Sequence, residues 1–223
     1  MTPSARAVIS LVAISLSLLP TASRGKGICS NNASLSGGDP HMSTEERAAA
    51  VKLLVDTRKE FLDSIQDLTD EQWNYRPAPF KWTIGQVGEH IILAETVLFQ
   101  QLMRAVDSPA NPDWETQTAG KMEIIEKLMP SSRNGKAKAP WEIQPMGKLS
   151  KAEVIRRYNE VRGRTLEFAQ TTQVALKEHT SVHPFPKFGT LSAYDWLIYI
   201  PLHNERHDEQ IAAVKASSGY PKN

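Results

Sequence analysis

Four stretches of the chain begin with the same short signal for a helix start, and this repetition strongly constrains the fold. In each, a serine or threonine can accept hydrogen bonds from the free N–H groups of a first helical turn. An acidic or amide side chain three residues later can bind back to the capping residue. The pairs are Ser43/Glu46, Thr83/Gln86 and Ser150/Glu153, with Ser192/Asp195 as a weaker fourth.

Apolar residues follow each cap at the spacing of one helical face. They recur at i, i+3 and i+4, which predicts four amphipathic helices of about 20 to 28 residues with no strand pattern between them. Such helices bury their apolar faces against one another, so the predicted fold is all-α, an antiparallel or crossover four-helix bundle. A long proline-containing loop, 107–149, separates helices two and three, and 121–129 within it predicts a short extra helix.

Composition excludes several classes of function. The 223 residues predict one soluble domain, and a net charge of +1 predicts neither a nucleic-acid footprint nor a polybasic membrane patch. The single cysteine, Cys29, can form neither an intrachain disulfide nor a cysteine-rich zinc site. A metal would therefore rest on histidine, carboxylate or water, and a small molecule is the expected substrate.

The N-terminus has a pattern of its own. Arg6 precedes a short apolar run that ends at Pro20, followed by small residues, which is the layout of a signal peptide. We therefore predict a signal peptide over 1–23, a disordered tether over 24–42 and the bundle over 43–217. This predicts an exported protein, periplasmic or extracellular, with no stable membrane span after processing. The alternative is a start at Met42 and a cytoplasmic protein.

Three histidines form the candidate site. His203 and His207 are four residues apart, so on a helix both imidazoles project from one face, about 6 Å apart. His90 lies on the apolar face of the second predicted helix. Histidines on an apolar face also occur as core residues bound to a neighbour, and that interpretation stays open here. Asn204 follows His203, so the sequence lacks the HExxH motif of zinc proteases.

If the three imidazoles converge, they can hold a divalent metal with open positions, which is a catalytic arrangement. Zinc, nickel, iron or copper suits such ligands, and manganese is a further candidate. Gln210, one turn beyond His207, is predicted to support that ligand from outside the metal shell. Glu89, Glu205 and Tyr199 are the conceivable proton carriers. Arg206 and Asp208 are expected to face solvent or another subunit.

Two segments resemble a known family. The segment Lys81-Trp82-Thr83-Ile84-Gly85-Gln86-Val87-Gly88-Glu89-His90 resembles the Trp-Ser/Thr-Ile segment of DinB-like proteins that leads to a histidine. The segment Leu202-His203-Asn204-Glu205-Arg206-His207-Asp208-Glu209-Gln210 resembles their terminal His-x-x-x-His-x-x-Gln helix. The similarity extends over about 43 to 215.

The resemblance implies a four-helix bundle with a divalent metal on His90, His203 and His207. The family includes S-transferases that use a low-molecular-weight thiol such as bacillithiol or mycothiol, a thiol-dependent isomerase and metal domains of sulfur-inserting enzymes. It therefore implies a metal-dependent enzyme, a thiol-dependent transferase or a hydrolase, and makes a homodimer plausible. Low-molecular-weight thiols are chiefly cytosolic, so export weakens the transferase hypothesis. The alternative is a noncatalytic, stress-associated bundle in which a metal ion only stabilises the fold.

Overall fold

The computed structural model describes residues 38–131 and 138–222. The predicted signal peptide and most of the predicted tether lie outside these residues. Within these residues four long helices make up the bundle, and three short α-helices and one 3-10 helix (Trp141–Ile143) lie in the connections. The helices are α1 (Thr44–Ile65), α2 (Asp70–Asn74), α3 (Ile84–Val106), α4 (Trp114–Thr118), α5 (Lys121–Leu128), α6 (Lys151–Thr171) and α7 (Ala193–Lys215).

The predicted helix starts are confirmed. Each long helix has its predicted cap: Ser43, Thr83, Ser150 or Ser192 accepts a hydrogen bond from the backbone N–H three residues later. The reciprocal bond is present in α1, α3 and α7. In α6 the carboxylate of Glu153 instead binds Arg156 and Arg157. The short helix α5 confirms the prediction for 121–129.

The long helices form a bundle of the crossover kind. Helices α1 and α3 each pack mainly against α6 and α7, so the two consecutive long helices α1 and α3 lie diagonally across the bundle. A small two-stranded antiparallel sheet that was not predicted, β1 (Thr180–Val182) and β2 (Thr190–Ser192), precedes α7. Strands of three residues are too short to show a periodic pattern in the sequence.

The core consists of two apolar clusters with a polar layer between them. One cluster surrounds Leu54, Leu102 and Trp196, and the other surrounds Phe61, Ile84 and Ile211. Between them each long helix contributes buried polar side chains. These are Thr57 from α1, Glu95 from α3, Arg162 and Thr165 from α6, and Asn204 and Asp208 from α7.

The packed part of the chain extends beyond the predicted bundle limits at both ends. Met42 is buried in the first apolar cluster, and the carbonyl of Pro40 accepts a bond from the N–H of Lys177. At the other end, Gln72 donates to the carbonyl of Pro221 at 3.1 Å. Among the described residues, no helix is both long and apolar enough to span a bilayer.

Candidate metal centre

His90, His203 and His207 meet at one point between α3 and α7. The Nε2 atom of His207 lies 3.1 Å from Nε2 of His90 and 3.3 Å from Nε2 of His203. One ligand atom from each histidine lies within 4.8 Å of the other two. The helical spacing of four residues brings His203 and His207 together, and the packing of α3 on α7 adds His90.

Two of the imidazoles are held by hydrogen bonds at their other nitrogen. Nδ1 of His90 donates to the backbone carbonyl of Ile143 at 2.7 Å, and Nδ1 of His207 donates to Oε1 of Gln210 at 2.9 Å. Because the proton is on Nδ1, Nε2 of each ring presents a lone pair. Gln210 thus has the contact predicted for it, whereas Ile143 was not foreseen.

The surroundings keep the three histidines neutral. Burial is the main cause that lowers the pKa of His90, and it lowers the pKa of His207 to about 3. For His203, burial and the proximity of the two other imidazoles lower the pKa well below its ordinary value. At neutral pH the cluster therefore offers uncharged imidazoles, which is the form that binds a metal.

The convergence of lone pairs explains why a cation fits here. Two acceptor nitrogens 3.1 Å apart repel each other unless a proton or a cation lies between them. The nitrogens of a tetrahedral zinc site, with bonds of about 2.0 to 2.1 Å, lie about 3.3 Å apart. The two Nε2–Nε2 distances that involve His207, 3.1 and 3.3 Å, are close to that value. The three-histidine cluster therefore fits a divalent metal in its chemistry and in its geometry.

Aromatic rings flank the cluster on both sides. The indole of Trp82 packs on the ring of His90, with centroids 4.8 Å apart. The ring of Tyr199, one turn before His203 on α7, lies nearly parallel to that imidazole at 6.4 Å. These contacts restrict rotation of the ligands and reduce the access of water to them.

The three suggested proton carriers differ in their positions. Glu89 is buried and accepts a hydrogen bond from the N–H of Gly147 at 2.6 Å, so it anchors a loop. Burial raises the pKa of Glu205, and the negative charge of Glu60 on α1 raises it further, so this carboxylate is influenced by α1. Tyr199 contacts a ligand ring, and burial raises the pKa of its hydroxyl, which stays protonated.

The polar layer beside the histidines was missed by the sequence analysis. Arg162 and Glu95 form a fully buried ion pair, with Nε of Arg162 at 2.9 Å from Oε1 of Glu95. Asn204 accepts bonds from Arg162 and from the hydroxyl of Tyr158, and it donates to Asp208. A lone arginine in a helical pattern is usually solvent-exposed, so the sequence carried no signal for this pair.

The expectation that Asp208 faces solvent or another subunit was wrong, whereas Arg206 is partly exposed. Asp208 is 7% exposed, and burial raises the pKa of its carboxyl group to about 8. Arg206 is only partly exposed and donates to the carbonyl of Ser131 at 2.6 Å. Residues that flank a ligand on a central helix of a bundle have neighbouring helices and loops on several sides. Asp208 is therefore buried and Arg206 is exposed only in part.

Comparison with known proteins agrees with this architecture. The sequence profile of the DinB superfamily matches residues 53–211, which include all three histidines. This chain belongs to the DinB superfamily. The resemblance noted in the sequence is thereby confirmed over most of the bundle.

A curated sequence and a solved structure, both from Bacillus subtilis, are similar to this DinB superfamily chain. The uncharacterized protein YuaE of strain 168 is 26% identical over 163 residues, covering 72% of this chain and 93% of YuaE. The solved structure of YfiT matches with a TM-score of 0.56 over 81% of this chain and 91% of YfiT, at 14% identity. YfiT is described as "a probable metal-dependent hydrolase with an unusual four-helix bundle topology", and the match confirms the four-helix-bundle fold.

Proposed function

We propose that this protein is a metal-dependent hydrolase that holds a divalent ion on His90, His203 and His207. The observation that carries the proposal is the convergence of the three Nε2 atoms, with separations of 3.1 and 3.3 Å for the two pairs that include His207. Ile143 and Gln210 fix the outer nitrogens of His90 and His207, so both lone pairs are oriented before an ion binds. The similar protein YfiT is itself described as a probable metal-dependent hydrolase, which supports the choice of reaction.

The number of ligands favours catalysis over a purely structural role. Structural zinc sites usually have four protein ligands, whereas catalytic sites have three and keep a position open. Within 38–131 and 138–222, no fourth histidine, cysteine or carboxylate joins the group. A divalent ion bound here would polarise a carbonyl or phosphoryl oxygen and lower the pKa of a water molecule in its open position.

The neighbouring side chains would position the substrate. Tyr199 lies beside His203 and keeps its proton because burial raises the pKa of the hydroxyl group, so it would serve as a hydrogen-bond donor. Trp82 covers one face of His90 and would shield that ligand from water. Glu89 binds the backbone of Gly147 and would keep the 138–149 loop over the site.

Two assays test the proposal. The full chain is stripped with a chelator, reloaded with zinc, nickel or manganese, and assayed against a panel of esters and amides. We expect hydrolysis by the reloaded parent, none by the stripped protein, and none by His203→Ala. The His179→Gln variant serves as the control, because His179 is a partly buried histidine outside the cluster, with Nδ1 bound to the carbonyl of Ser108. This variant should retain activity.

Cobalt substitution separates the alternatives. An open site should change its visible spectrum when azide or a low-molecular-weight thiol is added. Turnover that requires a thiol and an electrophilic acceptor would replace the hydrolase with a thiol-dependent transferase. Stoichiometric cobalt with neither a spectral change nor turnover would contradict catalysis and identify a noncatalytic metal-binding bundle.

A further inference from the structure

Two loops beside the histidine cluster expose large apolar side chains. Phe80 is 100% exposed, Trp141 is 79% exposed and Met146 is 68% exposed. Phe80 belongs to the 76–83 loop, and the other two belong to the 138–149 loop. We call the exposed side chains of these two loops the loop face.

Both loops reach the same imidazole. Trp82, two residues after Phe80, packs on the ring of His90. The carbonyl of Ile143, two residues after Trp141, accepts the bond from Nδ1 of His90 at 2.7 Å. The N–H of Gly147, next to Met146, binds Glu89. The loop face therefore lies at the amino-terminal part of α3, directly outside His90.

The backbone at Phe80 is unusual. Its φ angle of 62° is in the left-handed region, which a bulky side chain rarely adopts. The Phe80 ring is fully exposed, so no burial within the chain offsets the energetic cost of this backbone conformation. Backbone strain clusters at functional sites, and exposed apolar patches mark interaction surfaces, so Phe80 indicates a binding role for this loop.

The charges of the two loops are strongly biased, although the whole chain carries only +1. Exposed basic residues accompany the apolar side chains, and one exposed acidic residue, Glu142, opposes them. An apolar surface edged with lysine and arginine complements an anionic lipid surface, where rings insert and cations reach phosphate. The basic residues are Arg76, Lys81, Lys138 and Lys148.

We propose that the loop face docks on the surface of an anionic lipid bilayer, with His90 directly behind the contact. A second copy of the chain is a poorer occupant, because a two-fold interface through the same face would oppose like charges. This surface was not predicted from the sequence, because its basic residues come from two loops about 60 positions apart and the net charge of the whole chain does not show that they are grouped.

The test is vesicle flotation with the full-length protein. Vesicles of phosphatidylglycerol and phosphatidylcholine are compared with vesicles of phosphatidylcholine alone. We expect the parent to bind only the anionic vesicles and to bind less as the NaCl concentration rises. The Phe80→Ser/Trp141→Ser variant should partition at least about tenfold more weakly, because the inserted apolar area is lost. Lys81→Glu/Lys148→Glu should weaken binding similarly.

A matched control removes exposed apolar side chains elsewhere on the protein. Val55 and Val182 are 47% and 74% exposed, and Val55→Thr/Val182→Thr should bind as the parent does. All variants carry the same residues 1–37, so binding by that segment would be equal in all of them. Equal binding of parent and Phe80→Ser/Trp141→Ser, or no binding by the parent, would overturn the proposal. So would a dimer, seen by size-exclusion chromatography, that the same substitutions dissociate.

Discussion

The core of the bundle contains two polar clusters that differ in how their atoms are paired. In the first, the three guanidinium nitrogens of Arg162 bind Glu95, Thr57, Asn204 and the carbonyl of Leu54. In the second, the Nε2 atoms of three histidines face one another. A buried polar group is stable only when it is paired. The guanidinium group of Arg162 is paired by protein atoms alone, whereas the facing Nε2 atoms of the histidines require a proton or a cation between them.

This difference separates structural polar residues from functional ones. Both clusters are buried, both include side chains of α3 and α7, and both contain groups with altered pKa values. Burial and pKa shifts therefore do not distinguish them. The distribution of donors and acceptors does, and it assigns the arginine cluster to stability and the histidine cluster to binding.

The largest effect is expected from breaking the arginine cluster. Arg162→Met leaves the carboxylate of Glu95 buried without its partner, which we expect to lower the free energy of unfolding by about 3 to 5 kcal/mol. Urea denaturation measures the loss. Arg162→Met/Glu95→Leu should regain part of the stability, because the uncompensated charge is removed with its partner.

Lys59→Met is the control for the arginine variant, since it breaks the exposed pair between Lys59 and Asp63. It should change stability little, because surface ion pairs contribute little. If Arg162→Met were as stable as the parent, the arginine cluster would not be structural.

Removal of a metal ligand should change the free energy of unfolding through the loss of the bound ion. Zinc at a hundredfold excess over its dissociation constant should raise the free energy of unfolding of the parent by about 2.7 kcal/mol. His203→Ala should remove this increment, because one of three ligands is lost. Thermal denaturation with and without zinc measures it, and His179→Gln should keep the increment. An equal zinc effect in parent and His203→Ala would contradict the ligand assignment.

The bond between Gln210 and His207 should tune the affinity for metal. Gln210→Leu leaves Nδ1 of His207 without its acceptor, so the orientation of the imidazole is no longer fixed. We expect the affinity for zinc to fall about 10- to 100-fold, as for other residues that orient a ligand. Competition with a fluorescent chelator measures the affinity. Gln173→Leu, at an exposed glutamine outside the cluster, should leave it unchanged.

The smallest effect is the pH dependence due to one histidine in the metal-free protein. The pKa of His207 is about 3 in the folded state, against about 6.5 for an unfolded histidine. Below about pH 6.5 the unfolded chain binds a proton that the folded protein does not, so stability falls as the pH falls. The slope is at most about 1.4 kcal/mol per pH unit for this group.

Urea denaturation between pH 7 and pH 5, with a chelator present, tests that slope. His207→Phe should lose stability less steeply than the parent over this range, because one histidine no longer contributes. Asp208 titrates in both proteins and cancels in the comparison. His207 also lowers the pKa of His203, so its removal reduces the contribution of His203 to the slope and acts in the same direction. Identical slopes in the two proteins would show that His207 is not held neutral.

Local signals made the fold predictable from sequence. The caps at Ser43, Thr83, Ser150 and Ser192 lie within three residues of their partners, and the apolar period repeats within each helix. The order of the helices around the bundle carries no such signal, so the sequence left the antiparallel and crossover forms open. The sheet before α7 was missed because its strands have only three residues each.

The candidate site was predictable only in part, because only some of its contacts are local in the sequence. His203 and His207 are a local pair, and the inward face of His90 follows from its own helix. The carbonyl that fixes His90 belongs to Ile143, and any residue could supply a backbone carbonyl, so no side-chain pattern indicates it. Arg162 and Glu95 are 67 positions apart and meet only through tertiary packing.

Elemental analysis of full-length protein purified without an affinity tag or chelator is the most direct test of the metal centre. The analysis is run on the parent, on His90→Ala and on His207→Ala. We predict about one divalent metal ion per chain in the parent and less than a tenth of that in each variant, because three ligands share one ion. A parent that contains no metal, and takes up none when zinc, nickel or manganese is added, would contradict the account.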